Sequence, residues 1–149
     1  SVTNELFFSA NVALLNAEYA DYKNAPIVGG GMIDATGNIL TNAPKWSGSV
    51  ALDYYQNWSQ GKIHYRIEYG RQSRVFFTPD NNTVEMQKAF GLLNGFVEFQ
   101  LPKANLSIEI WGRNILDQDY LTGTANFTPS RSGRFGPPAT FGLNLRYKM

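Results

Sequence analysis

The stretch Thr140-Phe141-Gly142-Leu143-Asn144-Leu145-Arg146-Tyr147-Lys148-Met149 decides the fold. Phe141, Leu143, Leu145, Tyr147 and Met149 fall on one side of an extended chain, and Gly142, Asn144, Arg146 and Lys148 fall on the other. Successive side chains of a strand point to opposite faces, so this segment predicts one strand with an apolar side and a wet, basic side. An alternating strand left at the edge of a soluble sheet exposes unpaired N–H and C=O groups and invites aggregation. The closing strand of a membrane β-barrel pairs with a neighbour instead, and that is the expectation for this segment.

Five further strands are expected upstream. The first covers roughly residues 6–22, with Phe8, Ala10, Val12 and Leu14 on one face. A second follows Pro44, setting Trp46, Gly48, Val50, Leu52 and Tyr54 against Ser47, Ser49, Ala51 and Asp53. In the third, Ile63, Tyr65, Ile67 and Tyr69 oppose Lys62, His64, Arg66 and Glu68. The fourth ends near Leu101, with Leu93, Gly95, Val97, Phe99 and Leu101 on its apolar side. The fifth sets Leu106, Ile108 and Ile110 against Ser107, Glu109 and Trp111 and is expected to run towards Tyr120.

Turn chemistry falls between these segments: Gly29-Gly30-Gly31, Thr36-Gly37-Asn38, residues 57–61, Thr78 to Asn82, and Leu101-Pro102-Lys103-Ala104-Asn105. The connections after strands two, three and four are expected to be short. Those after strands one and five, the latter the Gly/Pro/Ser/Thr-rich stretch Thr122 to Ala139, are expected to run to about twenty residues. Short turns on one side and long loops on the other are the pattern of an outer-membrane barrel. Trp46, Tyr54, Trp58, Tyr69, Trp111, Tyr120 and Tyr147 fall near strand ends, where aromatic girdles sit.

Composition narrows the class. Lys and Arg total 13 against 12 Asp and Glu, which gives no basic excess for nucleic acid, and no nucleic-acid partner is expected. Cysteine is absent and His64 is the single histidine, which excludes a disulfide framework and thiolate or histidine-rich metal sites. No apolar run approaches the roughly 20 residues of a membrane helix. The start Ser-Val-Thr-Asn, without Met or a signal peptide, reads as a mature or excised piece.

Three stretches, in order, resemble the C-terminal end of TonB-dependent outer-membrane receptors. Asn42-Ala43-Pro44-Lys45-Trp46, leading into Ser49-Val50-Ala51-Leu52-Asp53-Tyr54, resembles the opening of a late barrel strand. Trp111-Gly112-Arg113-Asn114-Ile115-Leu116-Asp117-Gln118-Asp119-Tyr120 is similar to the family's Asn-Leu-x-Asp-x-x-Tyr run. Arg134-Phe135-Gly136-Pro137-Pro138-Ala139, continuing into the terminal strand, resembles the family's closing segment. The likeness covers most of residues 43–149, and the first strand fits less specifically. The family commonly ends in Phe where this chain has Met149, a departure in the signal read during barrel assembly.

The resemblance implies an energised importer of scarce, bulky nutrients such as iron chelates, cobalamin or oligosaccharides. It implies residence in the outer membrane of a Gram-negative bacterium, in a barrel of about 22 strands around an N-terminal plug. The partners implied are outer-membrane lipid, the remaining strands and plug of the same receptor, and an inner-membrane energy-coupling protein reached through the N-terminal part. Residues 1–149 are then the closing part of such a barrel, all-β and antiparallel, with the plug lying outside them.

Candidate contacts follow from charge. Lys62, His64, Arg66 and Glu68, with Arg146 and Lys148, are expected to form a mixed-charge inner face. Asn126, Arg131 and Arg134 lie in the last long loop, where paired arginines could grip an anionic ligand. Asp117 and Asp119 predict a structural turn, because a calcium site needs 6–8 oxygens and no further acidic cluster lies nearby. Gly29-Gly30-Gly31 is not followed by Lys-Ser/Thr, and His64 has no Ser or Cys partner in a recognisable arrangement. No enzyme and no cofactor are expected. Alternation alone leaves two alternatives open. One is a lipocalin-like or β-sandwich module holding an apolar ligand; the other is a small barrel completed by several copies. They differ in what the apolar face meets: lipid, or a core.

Overall fold

The computed structural model describes residues 5–27, 29–127 and 130–148, the side chains of residues 126 and 127 excepted. Its strands are β1 (Glu5–Leu14), β2 (Ala25–Pro26), β3 (Met32–Ile33), β4 (Trp46–Trp58), β5 (Gly61–Gln72) and β6 (Val75–Phe76). They continue with β7 (Met86–Gln87), β8 (Phe90–Leu101), β9 (Leu106–Arg113), β10 (Leu121–Phe127), β11 (Ser130–Phe135) and β12 (Thr140–Tyr147). Six of them form one antiparallel meander in the order β1-β4-β5-β8-β9-β12. The other six make three two-stranded ladders, β2-β3, β6-β7 and β10-β11, one in each long connection.

The six expected strands are therefore present, with corrected ends. β1 stops at Leu14 instead of reaching Tyr22: Leu15 still donates its N–H to the Lys45 carbonyl (2.9 Å), in register with the ladder, but the next position of the partner strand is Pro44, which has no N–H to give. β9 stops at Arg113, where Asn114 takes a left-handed conformation (φ 48°) and cannot continue a strand. The connection after the third long strand is not short: it covers residues 73–89. Val75 and Phe76 look like strand residues in sequence, but they pair with Gln87 and Met86 in a local ladder and are buried. Part of the expected loop Thr122 to Ala139 is the β10-β11 hairpin. Long connections now alternate strictly with short ones, residues 59–60 and 102–105, so all long loops leave one end of the sheet. Met149, the departure at the chain's last position, lies outside the described residues.

Local chemistry sets the turns. Pro102 opens a single 3-10 turn and Asn105 (φ 51°) closes it by donating its N–H to the Pro102 carbonyl. Beside the other short turn, a side chain on Gly61 would collide with the carbonyl of Gln100, so β8 can pack this closely against the start of β5 only at a glycine. Every described non-glycine residue with positive φ is Asn or Asp, the types whose short polar side chains tolerate that region.

The register aligns the apolar positions into one continuous surface. Phe8 faces Leu52, which faces Ile67; Tyr65 faces Val97, which faces Ile110, which faces Leu143. Among the described residues no second sheet covers this surface: the substantial contacts between strands are those of the ladders and of β10 with β7. Leu14 is 82% exposed, and Ile67, in the middle of the sheet, is 48% exposed. The chain exposes 10059 Å², against about 7,600 Å² for a compact monomer of its mass. A β-sandwich or lipocalin would bury this face in a core, and no such core exists among the described residues.

Candidate functional site

The opposite face of the sheet is polar and cross-linked by charge. Asp53 on β4 and Arg66 on β5 are direct cross-strand partners, and so are Tyr55 and His64. The Asp53 carboxylate accepts from both neighbours: Oδ2 from Arg66 Nη1 (2.7 Å), and Oδ1 lies 2.8 Å from His64 Nε2. Arg66 turns its second nitrogen to Glu68 Oε2 at 2.8 Å. Aromatic rings enclose the cluster: Tyr55 stacks on His64 at 4.1 Å, Phe96 meets it edge-on at 4.8 Å, and Phe7 packs on Tyr55 at 5.9 Å. Lys62 lies over the Tyr55 ring (5.0 Å).

The sequence placed His64, Arg66 and Glu68 together and the structure joins them, but it missed that Asp53 is the hub. The signal available was an acidic residue on the polar side of the preceding strand. Arg146 reaches Glu98 at 3.6 Å across β8 and β12, and Asn144 donates to Glu109 at 2.6 Å. Lys148 lies just past β12 and donates its backbone N–H to the Asn105 carbonyl. No nucleophilic side chain is bonded to His64, and no three His, Asp or Glu groups converge as metal ligands among the described residues. The face is suited to holding a polar, charged surface or solute.

The apolar face is bracketed by Trp46 and Trp58, the first and last residues of the 13-residue β4. That separation is about 40 Å along the strand, and about 30 Å in height at the tilt of a membrane barrel, a span comparable to the apolar band of such a barrel. Among the described residues of the six long strands, Arg71 is the one charged side chain on this face. It lies near the long-loop end, opposite Gly48, two positions from Trp46.

A hydrogen-bonded clasp ties the end of β9 to the start of β12. Asn114 is buried; its Nδ2 donates to the carbonyls of Gln118 (3.0 Å) and Pro137 (3.1 Å), and its Oδ1 accepts from Gln118 N–H (2.9 Å). Asp117, with φ 50°, accepts from Ala139 N–H at 2.8 Å. Gly136 donates to the Tyr120 carbonyl, and its missing side chain leaves room for the Tyr120 ring. Asp117 thus makes the structural turn expected of it. The two motif stretches 111–120 and 134–148 are one physical unit.

Above the sheet the long loops are laced into a layer. Asn81 exchanges two hydrogen bonds with the Ile39 backbone (2.8 and 2.9 Å), and Asn38 donates to the Pro79 carbonyl (2.9 Å). Gln87 accepts from Leu121 N–H at 2.6 Å, which joins the second loop to the third. Ala25, Ala35, Val75 and Phe76 are buried here, and so is Glu85. In the first loop Gly29, Gly30 and Gly31 all adopt positive φ, as turn residues do. The Asp34 carboxyl is held below its ordinary value by hydrogen bonds from the Thr36 hydroxyl and then the Thr36 N–H.

A family model described as TonB dependent receptor-like, beta-barrel matches residues 4–115. The chain belongs to that family. Among solved structures it resembles the ferric yersiniabactin uptake receptor FyuA from Yersinia pestis, with a TM-score of 0.69 and 18% identity. The match covers 74% of this chain and 17% of that one, so the likeness is one of fold over a small part of the receptor. No curated protein matches. The family span includes β1, whose sequence resembles the receptors least specifically, and stops as the third long loop begins.

Within this receptor barrel the ligand-contact candidates lie on the β10-β11 hairpin. Asn126 and Arg131 are cross-strand partners and therefore share a face, although the Asn126 side chain lies outside the described residues. Arg134 is three positions from Arg131 and points to the other face, so the two arginines do not form a single fork. Both are exposed.

Proposed function

We propose that this chain is the closing wall of an outer-membrane TonB-dependent receptor that imports a scarce, bulky nutrient: an iron chelate, cobalamin or an oligosaccharide. The observation that carries the reading is the six-stranded sheet itself, apolar and uncovered on one side, charged and cross-linked on the other. Lipid is the solvent that an uncovered apolar sheet face fits, because strand pairing satisfies the backbone and no core is needed. Under this reading β1 and β12 pair with further strands of the same barrel, and the Asp53–His64–Arg66–Glu68 face looks onto the plug and the import path. The laced loops lie outside the cell. Asn126, Arg131 and Arg134 contact the incoming ligand, Arg134 from the opposite side of the hairpin to the other two. The inner-membrane energy-coupling protein engages the receptor through its N-terminal part.

Deleting the gene for the full receptor in its native host and supplying one nutrient class at a time tests the reading. Growth should fail on one bulky nutrient supplied at trace level and recover when that nutrient is abundant. Recovery of the full receptor in the soluble fraction, with uptake unimpaired by its loss, would overturn the proposal.

A further inference from the structure

Arg71 breaks the pattern of its own face. Every other described position on the apolar side of the six long strands is apolar, glycine or Gln56, and Gln56 is satisfied by the Tyr65 hydroxyl at 3.2 Å. Arg71 has no hydrogen bond or ion pair from its side chain among the described residues, and it is exposed. Its two cross-strand neighbours are Gly48 on β4 and Gly91 on β8, so neither partner position brings a side chain of its own to the guanidinium. The ring of Tyr69 folds over Gly91 and carries its hydroxyl to the position beside Arg71. Two donors with a polar reach therefore stand together at the height of Trp46, where lipid headgroups sit.

Below them the surface is hollowed. Gly95 and Gly112 pair directly across β8 and β9, between Ile67 on one side and Phe141 on the other. The resulting apolar groove is walled by Leu52, Tyr65, Ile67, Val97 and Ile110, and Ile115 folds back over its upper end. Arg71 and Ile67 are on the same strand face, about 13 Å apart along β5.

We propose that Arg71, with Tyr69, binds the phosphate of a membrane lipid whose acyl chain runs down the outer face into the Gly95–Gly112 groove. The inference rests on the apolar face lying in lipid. A guanidinium grips phosphate oxygens through paired N–H donors, and an ammonium in its place offers only a point charge. The occupant is a lipid and not free phosphate, because the donors stand on the same sheet face as the groove and only apolar side chains, Leu93 and the Tyr69 ring among them, lie between the two.

The test uses the full-length receptor in detergent, stripped of lipid and titrated with a diacyl phosphatidylglycerol, with bound lipid counted by native mass spectrometry. Arg71→Gln should lower retention of the tightest lipid about tenfold and Arg71→Lys by a smaller factor, while Arg113→Gln, on the polar face at the same end, should leave it unchanged. Equal retention by wild type and Arg71→Gln overturns the proposal. A nitroxide at position 52 of the same receptor in bilayers separates the two readings. If that label is reached by oxygen as lipid-exposed sites are while Arg71→Gln changes nothing, only the headgroup site is wrong. If oxygen does not reach it, the face is not in lipid and both readings fall.

Discussion

The sheet and the loop layer above it are stabilised by opposite means. In the sheet, long uninterrupted ladders satisfy the backbone and the large apolar side chains stand uncovered; Ala51 is its one buried apolar residue among those described. In the loop layer Ala25, Ala35, Val75 and Phe76 are buried in the manner of a small soluble protein, and asparagine side chains bond the loops to one another. The difference teaches where water is. A face that needs no core fits the proposed lipid surroundings, whereas a layer that builds a core, however small, is avoiding water.

The sharpest way to break this comparison is a charge on the sheet's outer face. Leu52→Arg should destabilise the folded receptor in lipid vesicles by about 2–4 kcal/mol in urea titration, because the proposed orientation puts position 52 near mid-membrane. The same titration of Ser49→Arg, on the polar face of the same strand, should show less than half that loss. Equal losses would mean that the two faces see the same environment.

Next in size is the clasp. Asn114→Ala removes three side-chain hydrogen bonds and leaves a residue with a Cβ and no local bond at φ 48°, costing about 2–3 kcal/mol. Hydrogen exchange should rise across residues 114–139 and stay low in β4 and β5. A milder cut, Asn81→Ala, should loosen the first two loops by about 1–2 kcal/mol through loss of the paired bonds to Ile39. Limited proteolysis should then nick residues 29–40 sooner while the melting of the sheet is unchanged. Melting of both together would join what the comparison separates.

The smallest effect belongs to pH. The Asp34 carboxyl has a folded value below its ordinary 3.8, so its bonds to Thr36 are fully present above that pH and are lost as the pH falls through the lowered value. Exchange of the Thr36 amide should accelerate only in that acid window, and Asp34→Asn should flatten the profile.

Alternation made the sheet legible because the two sides of each strand differ in polarity, but it fixed only the faces; the register, such as Phe141 opposite Gly112, came from the structure. The loops were less legible for a physical reason. Val75 and Phe76 are apolar in a connection, and sequence could not tell a strand residue on the sheet's uncovered face from a loop residue facing a small local core. The β10-β11 hairpin was hidden by its composition: Thr122-Gly123-Thr124-Ala125 and Ser132-Gly133 have no apolar face to reveal a period of two. The charged cluster was half legible, since the side chains of β5 stood out as a run whereas Asp53 stood alone on its neighbour. The clasp was visible as a resembling motif, but its mechanics depend on positive φ at Asn114 and Asp117, which composition does not show.

The most direct measurement is a nitroxide scan of β5 from Ile63 to Tyr69 in the full-length receptor reconstituted into bilayers. Oxygen accessibility should alternate with a period of two, high at Ile63, Tyr65, Ile67 and Tyr69 and low at His64, Arg66 and Glu68. A flat profile, or low oxygen access at the apolar positions, would show that this face is packed against protein and would contradict the account.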